Sequence, residues 1–288
     1  MVRLIATDLD GTLLNAEHEV SKENIKAIRQ AQEQGIEVVV ATGRTYFDAF
    51  SICKKFGLDT YLISYNGAAI HTKDGQQLLS LTMDRNDVQN MIKWLEEKNY
   101  YYEVSTDKKI YMPSNAQNIL HQEAEELKGT ESELDPIYVT EIVDQIFSQI
   151  GMTPVENFEE IMSTNEGIYK VFCFSFDDKK RQIGVERFAG MRQFLMTSSM
   201  TNNFEIGHSN ASKGNALKIV ANRLGISLEQ AMAIGDNYND VSMMKVAKFS
   251  VAMGGAKEDI KKICSFVTHG NDKHGVAHAI EKFMAKTF

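Results

Sequence analysis

Residues 2–14 read VRLIATDLDGTLL, and they contain the pattern around which the rest of the sequence is organised. Its first half is rich in Val, Leu and Ile and predicts a buried β-strand. That strand ends in two carboxylates, Asp8 and Asp10, followed at once by Gly11. A buried, unpaired carboxylate is costly, so a pair at the tip of a strand indicates a bound cation or a reaction that needs both groups. A plain strand followed by an Asp-Gly turn is the alternative that this stretch alone leaves open.

Length and composition define the class of protein. With 288 residues, 43% of them hydrophobic and 24% charged, the chain is expected to be ordered and globular, with one large domain or two modest ones. Its net charge of −8 argues against a general nucleic-acid or anionic-membrane surface. We therefore expect neither as a partner, and we expect an anionic substrate to be held by local positive groups or a metal.

The cysteines and the apolar runs bear on the compartment. Cys53, Cys173 and Cys264 are far apart and have no CxxC spacing, so neither a disulfide framework nor a zinc site is indicated. The start of the chain lacks the features of a signal peptide, and no apolar run is long enough to span a bilayer. These features predict a cytoplasmic protein. They leave open whether it is a monomer or a small homo-oligomer.

Strands and helices alternate at both ends of the chain. Ser21 is placed to cap a helix that lies between the first strand and a second strand at residues 36–41. Further strands are predicted at residues 61–64, 229–234 and 249–253. Strand, helix and strand in close succession predict βαβ units, and hence an α/β fold with a Rossmann-like parallel sheet.

The pattern changes over a central block, roughly residues 84–208. An amphipathic helix at residues 87–98 is followed by Tyr100 to Tyr102, which predict a half-exposed strand. Further on, residues 194–199 and 203–206 predict a hairpin. This block is typical of an α+β domain inserted into the α/β domain.

Polar residues follow several of the predicted strands. They are Asp8 and Asp10 after the first strand, Thr42 after the second, Asp236, Asn239 and Asp240 after a late one, and Lys213 at a helix N-terminus. Because ligands of an open parallel sheet lie outside the carboxyl ends of its strands, we expect these residues to meet at one site. Each has an ordinary explanation by itself, but together they indicate a functional centre.

The residue types fit phosphoryl transfer with a hard cation. Mg²⁺ takes oxygen ligands and usually keeps several waters, so Asp8, the backbone carbonyl of Asp10, and Asp236 would suffice as protein ligands. A carboxylate can attack phosphorus, and a second carboxylate can protonate the leaving oxygen and later deprotonate water. Asp10 is the candidate for that second role. Thr42 and Lys213 would supply donors and positive charge to the phosphoryl oxygens.

Five motifs in this order resemble those of a known family. They are Asp8-Leu9-Asp10-Gly11-Thr12, Ala41-Thr42-Gly43-Arg44, Ser64-Tyr65-Asn66-Gly67-Ala68, Ser212-Lys213-Gly214 and Gly235-Asp236-Asn237-Tyr238-Asn239-Asp240. They are similar to the ordered motifs of the haloacid dehalogenase (HAD) superfamily, and the large insert is similar to that of its Cof-type phosphatases, subclass IIB. The resemblance implies a HAD-like catalytic core domain formed by residues 1–83 and 209–288, with an inserted cap domain at residues 84–208.

The resemblance also implies a role for each matching residue. Asp8 is implied as the nucleophile and Asp10 as the acid and base, with Thr42 and Lys213 on the phosphoryl group. The implied metal residues are Asp8, Asp10 and Asp236 on Mg²⁺, with Asp240 orienting Lys213 or belonging to the metal shell. The candidate substrate contacts are Gly43, Arg44, Asn66, Gly67 and Asn239.

Some residues have a second interpretation at this point. Arg44 is about as well explained by an ion pair with a nearby carboxylate, and Asn66-Gly67 is first of all a turn. Thr12 is favoured as the cap of a helix or turn. His71, like the other histidines, has no metal-ligand spacing and is expected in a surface or turn role.

The leading functional hypothesis is a Mg²⁺-dependent phosphatase. It would hydrolyse small phosphorylated metabolites, such as a sugar phosphate or a cofactor phosphate, through an aspartyl-phosphate intermediate. One alternative is a phosphomutase that uses the same intermediate. Another is a non-catalytic module that binds a phosphorylated ligand.

Overall fold

The computed structural model describes residues 1–132 and 134–285 of the chain. These residues form two compact units. The first unit comprises Met1–Ser80 and Asn210–Phe288, and the second comprises Leu81–Ser209. In the described part of the chain, no helix combines the length and the apolar character needed to cross a membrane.

Short strands and flanking helices build both units. In chain order the strands are β1 (Leu4–Thr7), β2 (Glu37–Ala41), β3 (Tyr61–Ser64), β4 (Ala69–His71), β5 (Gln77–Ser80), β6 (Tyr101–Thr106), β7 (Ile110–Pro113), β8 (Met152–Val155), β9 (Ile168–Phe174), β10 (Phe194–Thr197), β11 (Asn203–His208), β12 (Ala231–Gly235), β13 (Phe249–Ala252) and β14 (Phe266–Val267). The α-helices are α1 (Lys22–Glu33), α2 (Tyr46–Lys55), α3 (Arg85–Glu97), α4 (Ala116–Glu126), α5 (Pro136–Phe147), α6 (Phe158–Ser163), α7 (Asp178–Phe188), α8 (Lys213–Arg223), α9 (Val241–Val246), α10 (Glu258–Ile263) and α11 (Gly275–Ala285).

The first unit is organised around a sheet with β1 near its centre. Among the described residues the strand order is β14-β13-β12-β1-β2-β3-β4-β5. The strands from β14 to β3 are parallel, whereas β4 and β5 add to the edge in antiparallel fashion. Thr7, the last residue of β1, lies opposite Ile234 of β12 and Val40 of β2. The predicted α/β fold with a parallel sheet is therefore confirmed.

Both faces of this sheet are covered by helices, which explains why all four residues of β1 are buried. Ile5 packs in a core cluster with α1 and α11. Leu4 and Ala6, on the opposite face, pack in a second cluster with α8 and α9. The start of α1 follows the predicted cap, because Ser21 Oγ accepts a hydrogen bond from Asn24 N at 3.2 Å.

The second unit has its own mixed sheet. Its described strands lie in the order β10-β11-β9-β6-β7-β8. Strand β9 pairs in antiparallel fashion with both β11 and β6. Strands β10 and β11 pair in antiparallel fashion, which confirms the predicted hairpin. Helices α3, α6 and α7 pack in the core cluster on one face of this sheet, and α4 and α5 pack in the cluster on the other.

Two predictions of exposure are wrong. Tyr100, Tyr101 and Tyr102 are at most 1% exposed, because helices cover both faces of the sheet to which they belong. His71 lies in β4, is 6% exposed and stacks on Tyr46 with ring centroids 3.6 Å apart. In both cases the covering element is distant in sequence or was not predicted, so the local pattern underestimates burial.

Candidate active site

The first motif turns back toward the end of β12. Asp8 N donates to Ile234 O at 2.9 Å, and the chain then makes a wide turn in which Leu14 N donates to Leu9 O at 2.8 Å. Gly11 has φ +72°, and a Cβ atom at this position would lie 2.7 Å from Asp236 Oδ2. Glycine is therefore required here for both the backbone conformation and the close approach to Asp236.

Lys213 joins two of the predicted site carboxylates. Its ammonium Nζ lies 2.5 Å from Asp8 Oδ1 and 2.6 Å from Asp240 Oδ1. The lysine is fully buried at the first residue of α8, where Ser212 Oγ caps the helix by accepting from Asn215 N at 3.1 Å. A buried ammonium is stable only when it is paired, so the lysine and the two carboxylates form one unit.

Asp240 is held at its second oxygen by the backbone of its own motif. Asp240 Oδ2 accepts hydrogen bonds from Asp236 N at 2.9 Å and from Asn237 N at 3.0 Å. Asp240 is 0% exposed. Both carboxylate oxygens are thus engaged, which suits a residue that positions Lys213 and shapes the turn after β12.

Gly67 allows α8 to begin beside the end of β3. It has φ +102°, and a Cβ atom there would lie 2.3 Å from the carbonyl oxygen of Ser212. No side chain fits this contact. The Asn66-Gly67 turn therefore determines how closely the N-terminus of α8, and with it Lys213, approaches the site.

Three carboxylates form an acidic cluster that could hold a cation. One oxygen from each of Asp8, Asp236 and Asp240 lies within 4.8 Å of the others. Thr12 Oγ1 donates to Asp236 Oδ1 at 2.9 Å, so the prediction that Thr12 caps a helix or turn is wrong. The hydroxyl orients a carboxylate 224 residues away.

Burial and mutual repulsion raise the pKa values of two carboxyl groups in this cluster. Burial, followed by the charge of Asp240, raises the pKa of Asp8 well above its ordinary value, although Lys213 acts in the opposite direction. Burial and the charge of Asp240 likewise raise the pKa of Asp236 to about 6. Oxygen donors with an excess of negative charge are what a hard divalent cation requires. Asp8 and Asp236 suit this role better than Asp240, whose oxygens already accept hydrogen bonds.

Arg44 pairs with Asp10 and with Asp48, which was not predicted as a site residue. Its Nε donates to Asp10 Oδ2 at 2.8 Å and its Nη2 to Asp10 Oδ1 at 2.7 Å, while its Nη1 donates to Asp48 Oδ2 at 2.7 Å. Burial alone would lower the pKa of Arg44, but the hydrogen bonds and charges of the two carboxylates raise it above its ordinary value. Of the two interpretations of Arg44, the ion pair is the one that the structure contains.

Thr42 and the remaining candidate substrate contacts meet at the ends of β2 and β3. Thr42 Oγ1 accepts from Arg44 N at 3.1 Å, and Thr42 O accepts from Asn66 N at 3.0 Å. Asn239 Nδ2 donates to Asn66 Oδ1 at 3.1 Å. A Cβ atom at Gly43 would lie 3.0 Å from the same Asn66 oxygen. The turns after β2, β3 and β12 are therefore in direct contact.

One buried acceptor of this group stands out. Asn239 Oδ1 is buried and has no hydrogen-bond partner among the described residues. Buried polar atoms are nearly always hydrogen-bonded. This acceptor, which lies beside the turn of Asn66, is therefore suited to a hydrogen-bond donor on a bound ligand.

Two residues of the site were missed or misread from sequence. Asp48 lies four residues after Arg44, in the first turn of α2, whereas Arg44 precedes the cap of that helix. The short separation of two opposite charges in the sequence was the signal that could have identified Asp48. The partner of Thr12 had no local signal, because Asp236 reaches it only through the pairing of β1 with β12.

Comparison with known proteins places the chain in a family. The profile of haloacid dehalogenase-like hydrolases matches residues 5–280. Phosphatase YwpJ of Bacillus subtilis (strain 168) is 43% identical over 285 residues, which cover 98% of this chain and 100% of that protein. From the same organism, 5-amino-6-(5-phospho-D-ribitylamino)uracil phosphatase YwtE is 36% identical over 287 residues, or 99% of each protein.

A solved structure agrees over nearly the whole length. A haloacid dehalogenase-like hydrolase from B. subtilis superimposes with a TM-score of 0.86 at 42% identity, covering 97% of this chain and 99% of that one. Together with the ordered motifs at the strand ends, these matches show that the chain belongs to the family of haloacid dehalogenase-like hydrolases.

Proposed function

We propose that this protein is a Mg²⁺-dependent phosphatase that hydrolyses small phosphorylated metabolites through an aspartyl-phosphate at Asp8. The observation that carries the proposal is the buried ion pair of Lys213 with Asp8 and Asp240, beside Asp236. A carboxylate held next to a fixed ammonium and a cation site has the partners that a nucleophile toward a phosphate dianion needs.

Magnesium would be held by Asp8, Asp236 and the backbone carbonyl of Asp10. Asp240 would support this set, since its oxygens already bind Lys213 and the backbone. When bound, the cation offsets the negative charge of the phosphoryl oxygens. The raised pKa values of Asp8 and Asp236 support a cation here, because positive charge would relieve the repulsion that contributes to raising them.

In the first step a carboxylate oxygen of Asp8 attacks phosphorus. The new oxygen–phosphorus bond forms as the bond from phosphorus to the ester oxygen breaks, and Asp10 delivers a proton to that leaving oxygen. Lys213 and Thr42 hold the phosphoryl oxygens. Asn239 Oδ1, which is buried and has no hydrogen-bond partner within residues 1–132 and 134–285, would bind a hydroxyl or a water that accompanies the phosphate.

In the second step Asp10 accepts a proton from water, which attacks the phosphorus of the aspartyl-phosphate. The bond between phosphorus and Asp8 breaks, inorganic phosphate leaves and Asp8 is regenerated. Asp10 therefore gives a proton to the leaving group in the first step and takes one from water in the second. The two carboxylates of the first motif thus have different tasks.

The substrate class we propose is a phosphate monoester on a small polar molecule. The relative YwtE is named a 5-amino-6-(5-phospho-D-ribitylamino)uracil phosphatase, which places its phosphate on a sugar-alcohol chain. Sugar, sugar-alcohol and cofactor phosphates are therefore the first compounds to test. We assign catalysis to the first unit, which contains all of these site residues, and selection among substrates to the second unit as the cap domain.

The cytoplasm is the compartment we propose for this activity. Cys53, Cys173 and Cys264 are free, as is usual in a reducing compartment.

A direct assay tests the proposal. Purified protein with Mg²⁺ should release phosphate from p-nitrophenyl phosphate and from members of a sugar-phosphate and cofactor-phosphate panel, while Asp8→Asn should not. Asp59→Asn provides the matched control, because it makes the same exchange at an exposed position of the first unit. If the wild-type protein released no more phosphate than Asp8→Asn from any compound, the proposal would be wrong.

A further inference from the structure

The side chain of Asp10 is held at both oxygens by a single residue. Arg44 Nε and Nη2 donate to Asp10 Oδ2 and Oδ1 at 2.8 and 2.7 Å, which is the two-point geometry of a guanidinium on a carboxylate. Such a pair fixes the plane of the carboxylate as well as its distance. Asp10 is 47% exposed at its side chain, so no packing of comparable strength restrains it.

Arg44 is itself fixed from the other side. Its Nη1 donates to Asp48 Oδ2 at 2.7 Å, and the Asp48 side chain is only 2% exposed. Asp48 lies in the first turn of α2, where its backbone N–H donates to the Thr45 side chain that caps the helix. The anchor of the guanidinium therefore belongs to a helix packed on the sheet, not to a free surface loop.

The charges alternate in sign from Asp10 through Arg44 to Asp48. One guanidinium lies between two carboxylates, one half-exposed and one buried. Burial raises the pKa of Asp48, and the charge and hydrogen bond of Arg44 act in the opposite direction. A buried carboxylate that loses its paired cation is costly, so Asp48 retains Arg44 more firmly than the half-exposed Asp10 could.

We propose that Arg44 is a positioning residue for Asp10, with Asp48 as its buried anchor, and that it does not contact the substrate as an independent phosphate ligand. This inference rests on the proposed function, in which Asp10 transfers protons. Small displacements of a catalytic group cost large factors in rate, so a carboxylate that must reach a leaving oxygen benefits from a fixed orientation.

Because Arg44 acts through Asp10, its loss should have an effect that the loss of a phosphate ligand would not have. Proton delivery to the leaving oxygen matters most when that oxygen is a poor leaving group. The nitrophenolate leaving group of an activated aryl ester departs without a proton, whereas the alkoxide of an alkyl ester needs one. Loss of Arg44 should therefore impair alkyl esters much more than activated aryl esters.

Two esters of nearly the same size make the comparison. We would measure kcat and KM separately for p-nitrophenyl phosphate and p-nitrobenzyl phosphate, with Mg²⁺, for the wild-type protein, Arg44→Lys, Arg44→Ala and Asp48→Asn. For Arg44→Ala we expect kcat/KM to fall about 100-fold with the benzyl ester and about tenfold or less with the nitrophenyl ester. Arg44→Lys and Asp48→Asn should show the same selectivity to a smaller degree.

The controls separate positioning from structure. Arg181→Lys makes the conservative exchange at an arginine of α7 that is paired with Asp178 at 3.0 Å. It should leave kcat/KM unchanged for both esters. Thermal melting of each variant identifies loss of fold. Asp48→Asn retains the guanidinium of Arg44 but weakens its anchor, so it provides a second test should Arg44→Ala be too unstable to assay.

Each outcome decides between the interpretations. Equal loss with both esters through KM would show that Arg44 binds phosphate directly, and unchanged kinetics would show that it has no role; either result overturns the positioning proposal. If the wild-type protein hydrolysed neither ester faster than Asp8→Asn, the proposed phosphatase function would be the one that fails.

Discussion

Lys213 Nζ lies 2.5 Å from Asp8 Oδ1, although the two residues are 205 positions apart in the sequence. The ammonium is fully buried and also contacts Asp240 Oδ1 at 2.6 Å. Burial alone would lower the pKa of Lys213, but Asp240 and Asp8 outweigh it and raise that pKa above its ordinary value. The lysine therefore stays charged at neutral pH, and the stability of the site depends on its pairing.

Removal of this lysine should destabilise the fold. Lys213→Met leaves two buried carboxylates without their cation, and we expect the free energy of unfolding to fall by about 3 kcal/mol in metal-free buffer. Chemical denaturation measures the loss. Lys248→Met is the control, because its partner Glu229 and the lysine itself are more than half exposed; it should change stability by less than about 1 kcal/mol. Equal losses in the two variants would contradict the prediction.

Gly67→Ala should be more damaging than an ordinary glycine substitution. The new Cβ would lie 2.3 Å from Ser212 O at φ +102°, so the start of α8 must shift and carry Lys213 with it. We expect a loss of roughly 2 to 4 kcal/mol in unfolding free energy, together with reduced activity.

Gly225→Ala is the matched control for Gly67→Ala. Gly225 has φ +64° but nothing within 4 Å of the added Cβ, so only the backbone conformation is penalised, by about 1 kcal/mol. If both variants lost equal stability and kept equal activity, the close contact at Gly67 would have no consequence.

Magnesium should raise the melting temperature through the acidic cluster. At about ten times its dissociation constant a cation stabilises a single-site protein by roughly 1.4 kcal/mol, which corresponds to roughly 2 to 4 °C for a protein of this size. Asp236→Asn should abolish the rise, and the exposed control Asp59→Asn should keep it. Differential scanning fluorimetry with Mg²⁺ and with a chelator provides the measurement; an equal rise in Asp236→Asn would argue against this metal site.

The two carboxylates of the first motif should give different kinetic defects. Asp8→Asn should abolish the aspartyl-phosphate, because a neutral amide replaces the carboxylate and does not attack phosphorus. Asp10→Asn should mainly slow formation or breakdown of the intermediate, since its role is proton transfer. Rapid quenching followed by mass spectrometry detects the added phosphoryl group. Equal accumulation in both variants would show that these roles are misassigned.

His71 should make stability fall in mild acid. Burial lowers its pKa to about 4, whereas the unfolded chain takes up the proton near its ordinary value of 6.5. The unfolded state therefore binds more protons between these values, so the stability contributed by the neutral imidazole is present above pH 6.5 and is lost as pH falls toward 4.

The variant His71→Phe isolates this contribution. It retains a ring to stack on Tyr46 and cannot take up a proton. Relative to this variant, the wild-type protein should lose about 1 to 2 kcal/mol of unfolding free energy between pH 7.5 and pH 5, measured by urea denaturation. The exposed His121→Phe controls for the loss of an imidazole. Parallel pH curves for wild type and His71→Phe would contradict the prediction.

The sheet of the first unit was predictable because its signals are local. The apolar strand of residues 4–7, the cap at Ser21 and the strand at residues 61–64 each follow from a few neighbouring residues. The ordered motifs added the family, since five short motifs in a fixed order are far more specific than one.

The second unit shows where local signals fail. Helix α5 was not predicted, although together with α4 it covers one face of the sheet that contains Tyr101. Without that cover, three consecutive tyrosines look half-exposed. Burial depends on what packs from elsewhere, and a strand pattern does not contain that information.

The amino-acid sequence was enough to place carboxylates and a threonine at the ends of strands and a lysine at the start of a helix, because these are short-range features. Their partners depend on the tertiary structure. It pairs Lys213 with Asp8 and Asp240, turns Thr12 toward Asp236, and joins Arg44 to Asp10 and Asp48. These contacts depend on which strands lie side by side and on how closely a glycine lets two segments approach. Those distances arise from the packing of the whole unit, so no single segment of the sequence specifies them.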